Sequence, residues 1–438
     1  MFAYHLKIAL ASLRRRPLLS TLLVAAIALG IMVTTTSLTG YTVLTGNPIP
    51  TKSDVLHYVQ VDAWEPDDPY DDDRPDEPPP ELTYRDMMAA MQSDVPTYKS
   101  GMFKGSLTVH PEGEDARPFR ALSRQCFADF FPMFEVPFRY GGPWDAAADE
   151  NAEPVVVLDR ATNERLFGDV DSVGRRLRIE QDTLTIVGVL ENWDPMPKFY
   201  DVTNGSYDES EELFLPLNYG IREEFETAGN TSGWKPENID SYQDRLDSEL
   251  TWVQMWVQLD TPAQHAEYVA YLDAYTDEQR ELGRHGRPNN NRVRPVMAWL
   301  EADEAIPDDP KTMLIISLLF LVVCSFNLIG ILLGKFLAQA PEIGVRRALG
   351  ASRASIFMQH IVECELIGVT GGVIGVLLSL GAIRAVKGWV NMRQVPMELD
   401  AGMLLAALAL SLGAGLLAGI YPAWRVCRIA PAHHLKAQ

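Results

Sequence analysis

Four runs of about 20 apolar residues, at 18–41, 312–337, 359–386 and 403–423, leave this chain few folds to choose from. A helix rises about 1.5 Å per residue, so each run can cross a hydrocarbon layer of about 30 Å. The spacing of the runs is uneven. Residues 42–311 contain none, and that stretch is long enough to bury a core of its own. The expected fold class is therefore membrane α-helical, with four transmembrane helices and a large α/β (α+β) two-lobed extracytoplasmic domain inserted between helices 1 and 2.

Orientation follows from the basic residues. Arg346, Arg347 and Arg353 lie in the short loop 338–358, and Lys7, Arg14, Arg15 and Arg16 precede the first run. Basic residues beside spans stay on the cytoplasmic side. Both termini (1–17 and 424–438) and the loop 338–358 are then expected inside, and the large domain and the short loop 387–402 outside. Residues 1–17 also carry Phe2, Leu6, Ile8, Ala9 and Leu13, a pattern for an amphipathic helix on the inner membrane face. A cleavable secretory signal fits less well, because the first run exceeds the usual signal core of roughly 7 to 15 residues.

The formal net charge of −21 belongs mostly to the inserted domain and argues against nucleic acid as a partner. Four cysteines make no disulfide framework. Cys324 and Cys364 fall in or beside spans and Cys427 follows the last, which leaves Cys126 alone in the domain.

Within that domain, residues 55–63 alternate as a strand. The stretch 65–81 is crowded with acids and six prolines. Asp67, Asp68, Asp71, Asp72 and Asp73 have oxygen ligands for calcium but not the spacing of an EF-hand, so a solvated flexible loop is expected. Residues 127–135 are aromatic and 140–142 read as a turn. A strand at 155–158 leads to Asp159 as a helix cap, a helix to Leu166, and Gly168 as its stop. Strands follow at 176–179 and 183–190. Further strands at 249–259 and 293–300 flank a helix at 263–282.

Chemistry is sparse. The sequence holds no Gly-x-x-x-x-Gly-Lys-Ser/Thr phosphate loop, no Gly-x-Ser-x-Gly and no His-Glu-x-x-His. His57, His110, His265 and His285 are scattered singly. Glu363 and Glu365 read as first-turn acids of the third span, where they would favour the positive helix end. Thr34, Thr35, Thr36, Ser37 and Thr39 suit a helix-packing face. Gly330 with Gly334, Gly371 with Gly375, and Gly415 with Gly419 stand four apart, the spacing that lets helices approach closely.

The string Glu342-Ile343-Gly344-Val345-Arg346-Arg347-Ala348-Leu349-Gly350-Ala351 resembles the loop of MacB/FtsX-type ABC transporter permeases (type VII). Leu13 to Arg16 and Leu29 to Ile31 resemble that family's entry into the first span. Val155 to Leu158, Leu166 to Asp169, Val173 to Arg175, Ile186 to Val189 and Leu213 to Pro216 resemble the MacB-like periplasmic core domain. Tyr421-Pro422-Ala423-Trp424-Arg425 and Ile429-Ala430-Pro431 resemble its C-terminal boundary, whereas His433-His434-Leu435-Lys436 departs from it.

The resemblance implies a coupling helix that docks on a cytoplasmic ABC ATPase through Glu342, Ile343, Arg346, Arg347, Ala348, Leu349 and Gly350. It implies no cofactor or enzyme activity in this chain, since ATP and Mg would be bound by the partner ATPase. It further implies a bilayer-embedded bundle in the bacterial inner membrane that meets a second permease, identical or paralogous, mainly through the first two spans. Mechanical work would reach the periplasmic domain and drive export of a drug, peptide or lipoprotein, with a periplasmic adaptor and outer-membrane channel as further partners. The alternative is an FtsX-like signalling subunit that regulates a cell-envelope enzyme without moving a solute.

Overall fold

A computed structural model describes residues 2–112, 117–208, 210–305, 309–389 and 399–428. The family-like tail at 429–431, His433 and His434, and most of the short loop 387–402 lie outside the described residues. The chain forms two compact units, Met1–Gly46 with Pro307–Gln438, and Asn47–Ile306.

The first unit is helical. An N-terminal helix (Phe2–Arg15) precedes span 1 (Pro17–Thr45), whose first turn carries Pro17 where a missing N–H costs nothing. Span 2 (Asp309–Leu337), a connecting helix (Ala340–Ala348), span 3 (Arg353–Trp389) and span 4 (Ala401–Cys427) follow. All four spans are long and apolar enough to cross a membrane. Span 3 starts well before its apolar run because Ser352 caps it, its hydroxyl accepting from the Ser355 N–H at 3.2 Å.

Span 3 is held against spans 1 and 4 by glycine. A Cβ at Gly371 would lie 2.8 Å from Ile27, one at Gly375 2.7 Å from the Ala28 carbonyl, and one at Gly419 2.6 Å from Cys364 Sγ. Gly415 lies against Gly368 across the seam between spans 3 and 4. Among the threonines of span 1, Thr34 donates to the Ser317 carbonyl of span 2 at 3.1 Å. Gly330 and Gly334, expected in the same kind of seam, are not in one within this chain. Both are exposed, with no described atom within 4 Å of an added Cβ. The inward stripe of span 2 is Leu321, Ser325, Leu328, Leu332, Lys335 and Phe336, and the glycine pair falls on the opposite face.

The second unit is built on one sheet. Its strands are β1 (Leu56–Gln60), β2 (Leu82–Thr83), β3 (Tyr98–His110), β4 (Phe119–Cys126), β5 (Phe138–Gly141), β6 (Val155–Leu158), β7 (Arg176–Ile179), β8 (Asp182–Leu190), β9 (Leu213–Pro216), β10 (Thr251–Gln258) and β11 (Arg292–Pro295). They run in the order β11-β1-β10-β3-β4-β9-β6-β8-β5, with β2 on β10 and β7 on both β3 and β8. Among the described residues, only β4–β9 and β6–β8 are parallel. The two halves of the domain are thus one continuous hydrogen-bonded path, in which the 13-residue β3 pairs with β10, β4 and β7.

Side-chain alternation gives the sheet two apolar faces. On β10, Val253, Met255 and Val257 enter one core with Val156, Ile186 and Tyr268. Trp256 enters the other, an aromatic cluster with Tyr58, Phe130, Phe134 and Trp299. Tyr58 stacks on Trp299 with ring centroids 3.9 Å apart. The helix after β6, Arg160–Phe167, is capped by Asp159, which accepts from the Thr162 and Ala161 N–H groups, and ended by Gly168 at φ 79°.

Three local expectations need correction. Residues 293–300 are not one strand: β11 stops at Pro295, which caps the helix Val296–Ala302. The turn at 140–142 is partly strand, because β5 pairs with β8. The Pro-rich stretch is pinned at its C-terminal end rather than free. Tyr58 donates to the Pro80 carbonyl at 2.5 Å, Gln60 to the Pro78 and Pro79 carbonyls at 3.2 and 3.3 Å, and Asn290 to the Asp76 carbonyl at 2.7 Å. Arg294 pairs with Glu77. Proline removes donors but leaves carbonyls to accept, and its fixed φ lowers the entropy lost on docking.

Glu81, at the end of this stretch, is 2% exposed. Burial, then the nearby Asp201 charge, pushes its carboxyl up to about 8. A carboxyl raised on folding leaves stability intact below its unfolded value of roughly 4.5 and removes it as pH rises through about 8. Glu81→Gln is therefore expected to be more stable than the parent at pH 9, by on the order of 3 kcal/mol, and no more stable at pH 4. Chemical unfolding followed across this pH range checks it, and an unchanged pH slope would contradict it.

Candidate functional site

The connecting helix combines features that suit a short exposed helix. Pro341 lies in its first turn, Glu342 faces the positive end and Arg346 and Arg347 the negative end. Glu342 and Arg346, one turn apart, pair at 2.6 Å, and Arg346 also donates to Gln359 of span 3 at 3.2 Å. Gly350 at φ 99° then turns the chain toward span 3, a conformation that glycine adopts without strain.

The seven residues expected to dock do not share a face. Ile343 is 9% exposed and packs in the bundle core with Phe336 and Ile356, so it anchors the helix instead of presenting a surface. Arg346 and Arg347 are half-buried, while Glu342, Ala348, Leu349 and Gly350 are exposed. Leu349 is 84% exposed and Val345 52%. Val345 is not among the seven expected residues, yet its spacing of three and four from Ala348 and Leu349 marks one apolar edge.

Beneath the helix lies a buried polar cluster. Lys335, in the last turn of span 2, donates to Glu363 Oε1 of span 3 at 2.5 Å, and both side chains are fully buried. Ser12 of the N-terminal helix donates to the same oxygen at 2.7 Å. His360 Nδ1 lies 3.7 Å from Glu363 Oε2, and its ring packs on Phe336 at 4.1 Å. Glu363 and Glu365 are thus not first-turn acids. Span 3 begins at Arg353, so Glu363 sits in its third turn, and its charge is matched by a lysine. An ion pair at this depth ties three helices together where the connecting helix begins. The N-terminal helix accordingly packs on span 3 as well as carrying its basic face.

Above this cluster is a cavity of about 410 Å³ between the N-terminal helix, the connecting helix and span 3. Lys7, Arg15, Arg346, Gln359 and His360 are among its walls.

His57 and His265, expected apart, pack with ring centroids 5.0 Å apart, but His57 Nδ1 faces the Val55 carbonyl and His265 Nε2 the Val293 carbonyl. Burial lowers His57 to about 4, which keeps it neutral. Among the described residues, no group of three or more His, Cys, Asp or Glu could hold a metal, and the four cysteines are free.

Two family models match. The MacB-like periplasmic core domain covers residues 20–275 and the FtsX-like permease C-terminal region residues 314–431. The chain is 25% identical over 308 residues to the macrolide export ATP-binding/permease protein MacB of Neisseria meningitidis, covering 69% of this chain and 41% of that protein. It is 32% identical over 333 residues to MacB of Syntrophobacter fumaroxidans, covering 69% and 45%. The chain therefore spans less than half the length of these curated relatives. The periplasmic region of MacB from Actinobacillus actinomycetemcomitans superposes with a TM-score of 0.36 at 13% identity, over 59% of this chain and 94% of that one. With the first model alone matching more than half of its length, and the second the spans that follow, the chain belongs to the MacB/FtsX-type family of ABC transporter permeases.

Proposed function

We propose that this chain is a mechanotransmission permease of the inner membrane: a cytoplasmic ABC ATPase, bound to ATP and Mg, docks on the connecting helix and drives the periplasmic domain to export a drug, peptide or lipoprotein. The observation that carries this reading is the projecting apolar edge of Val345, Ala348 and Leu349 on a helix whose root is locked by the Lys335–Glu363 pair. An exposed apolar edge needs a partner, and a locked root lets force pass to the spans instead of dissipating in a hinge. The names of the relatives, which join ATP-binding to permease, support the ATPase as that partner. The orientation proposed with it places both termini and the connecting helix in the cytoplasm, supported by Arg346, Arg347 and Arg353. The outward glycines Gly330 and Gly334 leave span 2 a flat face that suits a second permease copy.

Leu349→Asp tests the docking. The residue is exposed, so folding should be unchanged, while stimulation of the partner ATPase in a reconstituted complex should fall at least about tenfold, as for a charge placed in an apolar contact. Unchanged stimulation would remove the assignment. An adaptor protein retained on purification supports export, whereas a cell-wall hydrolase in its place would turn the reading to signalling.

A further inference from the structure

We infer that the cavity between the N-terminal helix, the connecting helix and span 3 binds the headgroup of an anionic phospholipid. Three cations line it, Lys7 and Arg15 from the N-terminal helix and Arg346 from the connecting helix, against a single carboxylate, Glu342. Arg346 is already paired with that carboxylate at 2.6 Å, and Arg15 approaches it only to 3.9 Å. Positive charge is therefore left over at the mouth. Gln339 and Gln359 add neutral donors. On the inner wall, His360 is 1% exposed, and its Nε2 has no hydrogen-bond partner among the described residues. A buried ring nitrogen without a partner, in a residue of the cavity wall, is costly.

The chemistry that satisfies such a site is a phosphate oxygen. Guanidinium forks and an ammonium bind phosphate through charge-assisted hydrogen bonds, and a cavity of about 410 Å³ accepts a phosphoglycerol group. The source is argued from the surroundings. Leu6 and Leu10, on the same N-terminal helix as Lys7 and Arg15, are exposed large aliphatics, as is Leu337 at the end of span 2. A helix with a basic face and exposed leucines lies in the membrane interface, where acyl chains meet headgroups. A lipid would thus insert its phosphate between the two helices while its chains cover the leucines. One bound lipid would touch both the N-terminal helix and the helix proposed to dock the ATPase, so lipid occupancy would set how firmly the two are joined. This inference does not depend on the proposed orientation, since the cavity lies within the helical unit.

Native mass spectrometry of the full chain in detergent, without any ATPase, tests it with phosphatidylglycerol, phosphatidylcholine and inorganic phosphate as probes. One retained phosphatidylglycerol per chain, in preference to phosphatidylcholine, is expected. Lys7→Gln with Arg15→Gln should weaken it roughly tenfold, since each basic group near a lipid phosphate contributes about fivefold at most. Arg14→Gln with Arg16→Gln removes the same charge from outside the cavity and should weaken it less than about threefold. Equal losses in the two double variants, no preference over phosphatidylcholine, or equal displacement by millimolar inorganic phosphate would each overturn the proposal. Leu349→Asp should leave lipid retention unchanged, so failure of ATPase docking and failure of lipid binding are separable.

Discussion

Glu363→Ala is expected to destabilise the helical unit by about 3–5 kcal/mol, the cost of leaving one member of a buried ion pair without its partner. Both side chains are fully buried, so water cannot replace the carboxylate that Lys335 loses. Ser12 would lose its acceptor at the same time, and with it the tie from the N-terminal helix to span 3. Removing both charges is a different experiment. Lys335→Met with Glu363→Leu keeps the volume and leaves no orphan charge, and should recover most of the lost stability. Thermal unfolding of the full chain in detergent, read as a double-mutant cycle, checks both statements. A single variant within 1 kcal/mol of the parent would show that the pair does not hold the helices together. The cycle also separates stability from transmission. If the double variant is stable yet no longer responds to its ATPase, the pair fixes the root of the connecting helix by its geometry and not merely by its charge balance.

That pair marks where the sequence was legible and where it was not. The spans could be read because length and apolarity suffice, with no need to know their neighbours. The β6–helix–β7–β8 segment could be read because Asp159 and Gly168 act locally, through hydrogen bonds to adjacent backbone and through a left-handed φ. Glu363 could not be placed without the true start of span 3, set by Ser352 ahead of the apolar run. The Pro-rich stretch was misread for a related reason. Its Pro75 and Asp76 carbonyls accept from Arg287 and Asn290 and its Arg74 donates to the Ala302 carbonyl, all more than 200 residues away, and composition carries no trace of such partners. On the connecting helix, the residue types were visible, but which of them face out depended on Ile343 being drawn into the core.

Arg124→Met is expected to have the largest effect in the second unit. Arg124, on β4, is completely buried and pairs with both Asp201 and Glu211, which are equally buried. Lys198 lies 3.8 Å from Glu211, Tyr200 donates to Glu211 at 2.7 Å, and Gln254 donates to Asp201 at 2.8 Å. Two cations and two carboxylates thus balance in a buried sheet interior, and Arg124 contacts both carboxylates. Replacing it with an apolar chain of similar length leaves a net buried negative charge. The loss should be at least about 3–5 kcal/mol at neutral pH, since each orphaned carboxylate carries its own desolvation cost. The acid limb of stability gives an independent readout. Burial works to raise Glu211, but the Arg124 and Lys198 charges outweigh it and hold the carboxyl well below the usual carboxylate range. A carboxyl lowered on folding contributes stability above its unfolded value of roughly 4.5, lost as pH falls through its lowered folded value. With Arg124 gone, that depression should largely vanish, so the variant would lose less stability on acidification than the parent does. Arg124→Lys keeps the charge but reaches one carboxylate at a time, and should fall between the two. Unfolding of the full chain followed by the fluorescence of the buried Trp252, Trp256 and Trp299 measures all three proteins. If Arg124→Met keeps both the parent's midpoint and its acid slope, the buried charges are balanced by something other than this arginine.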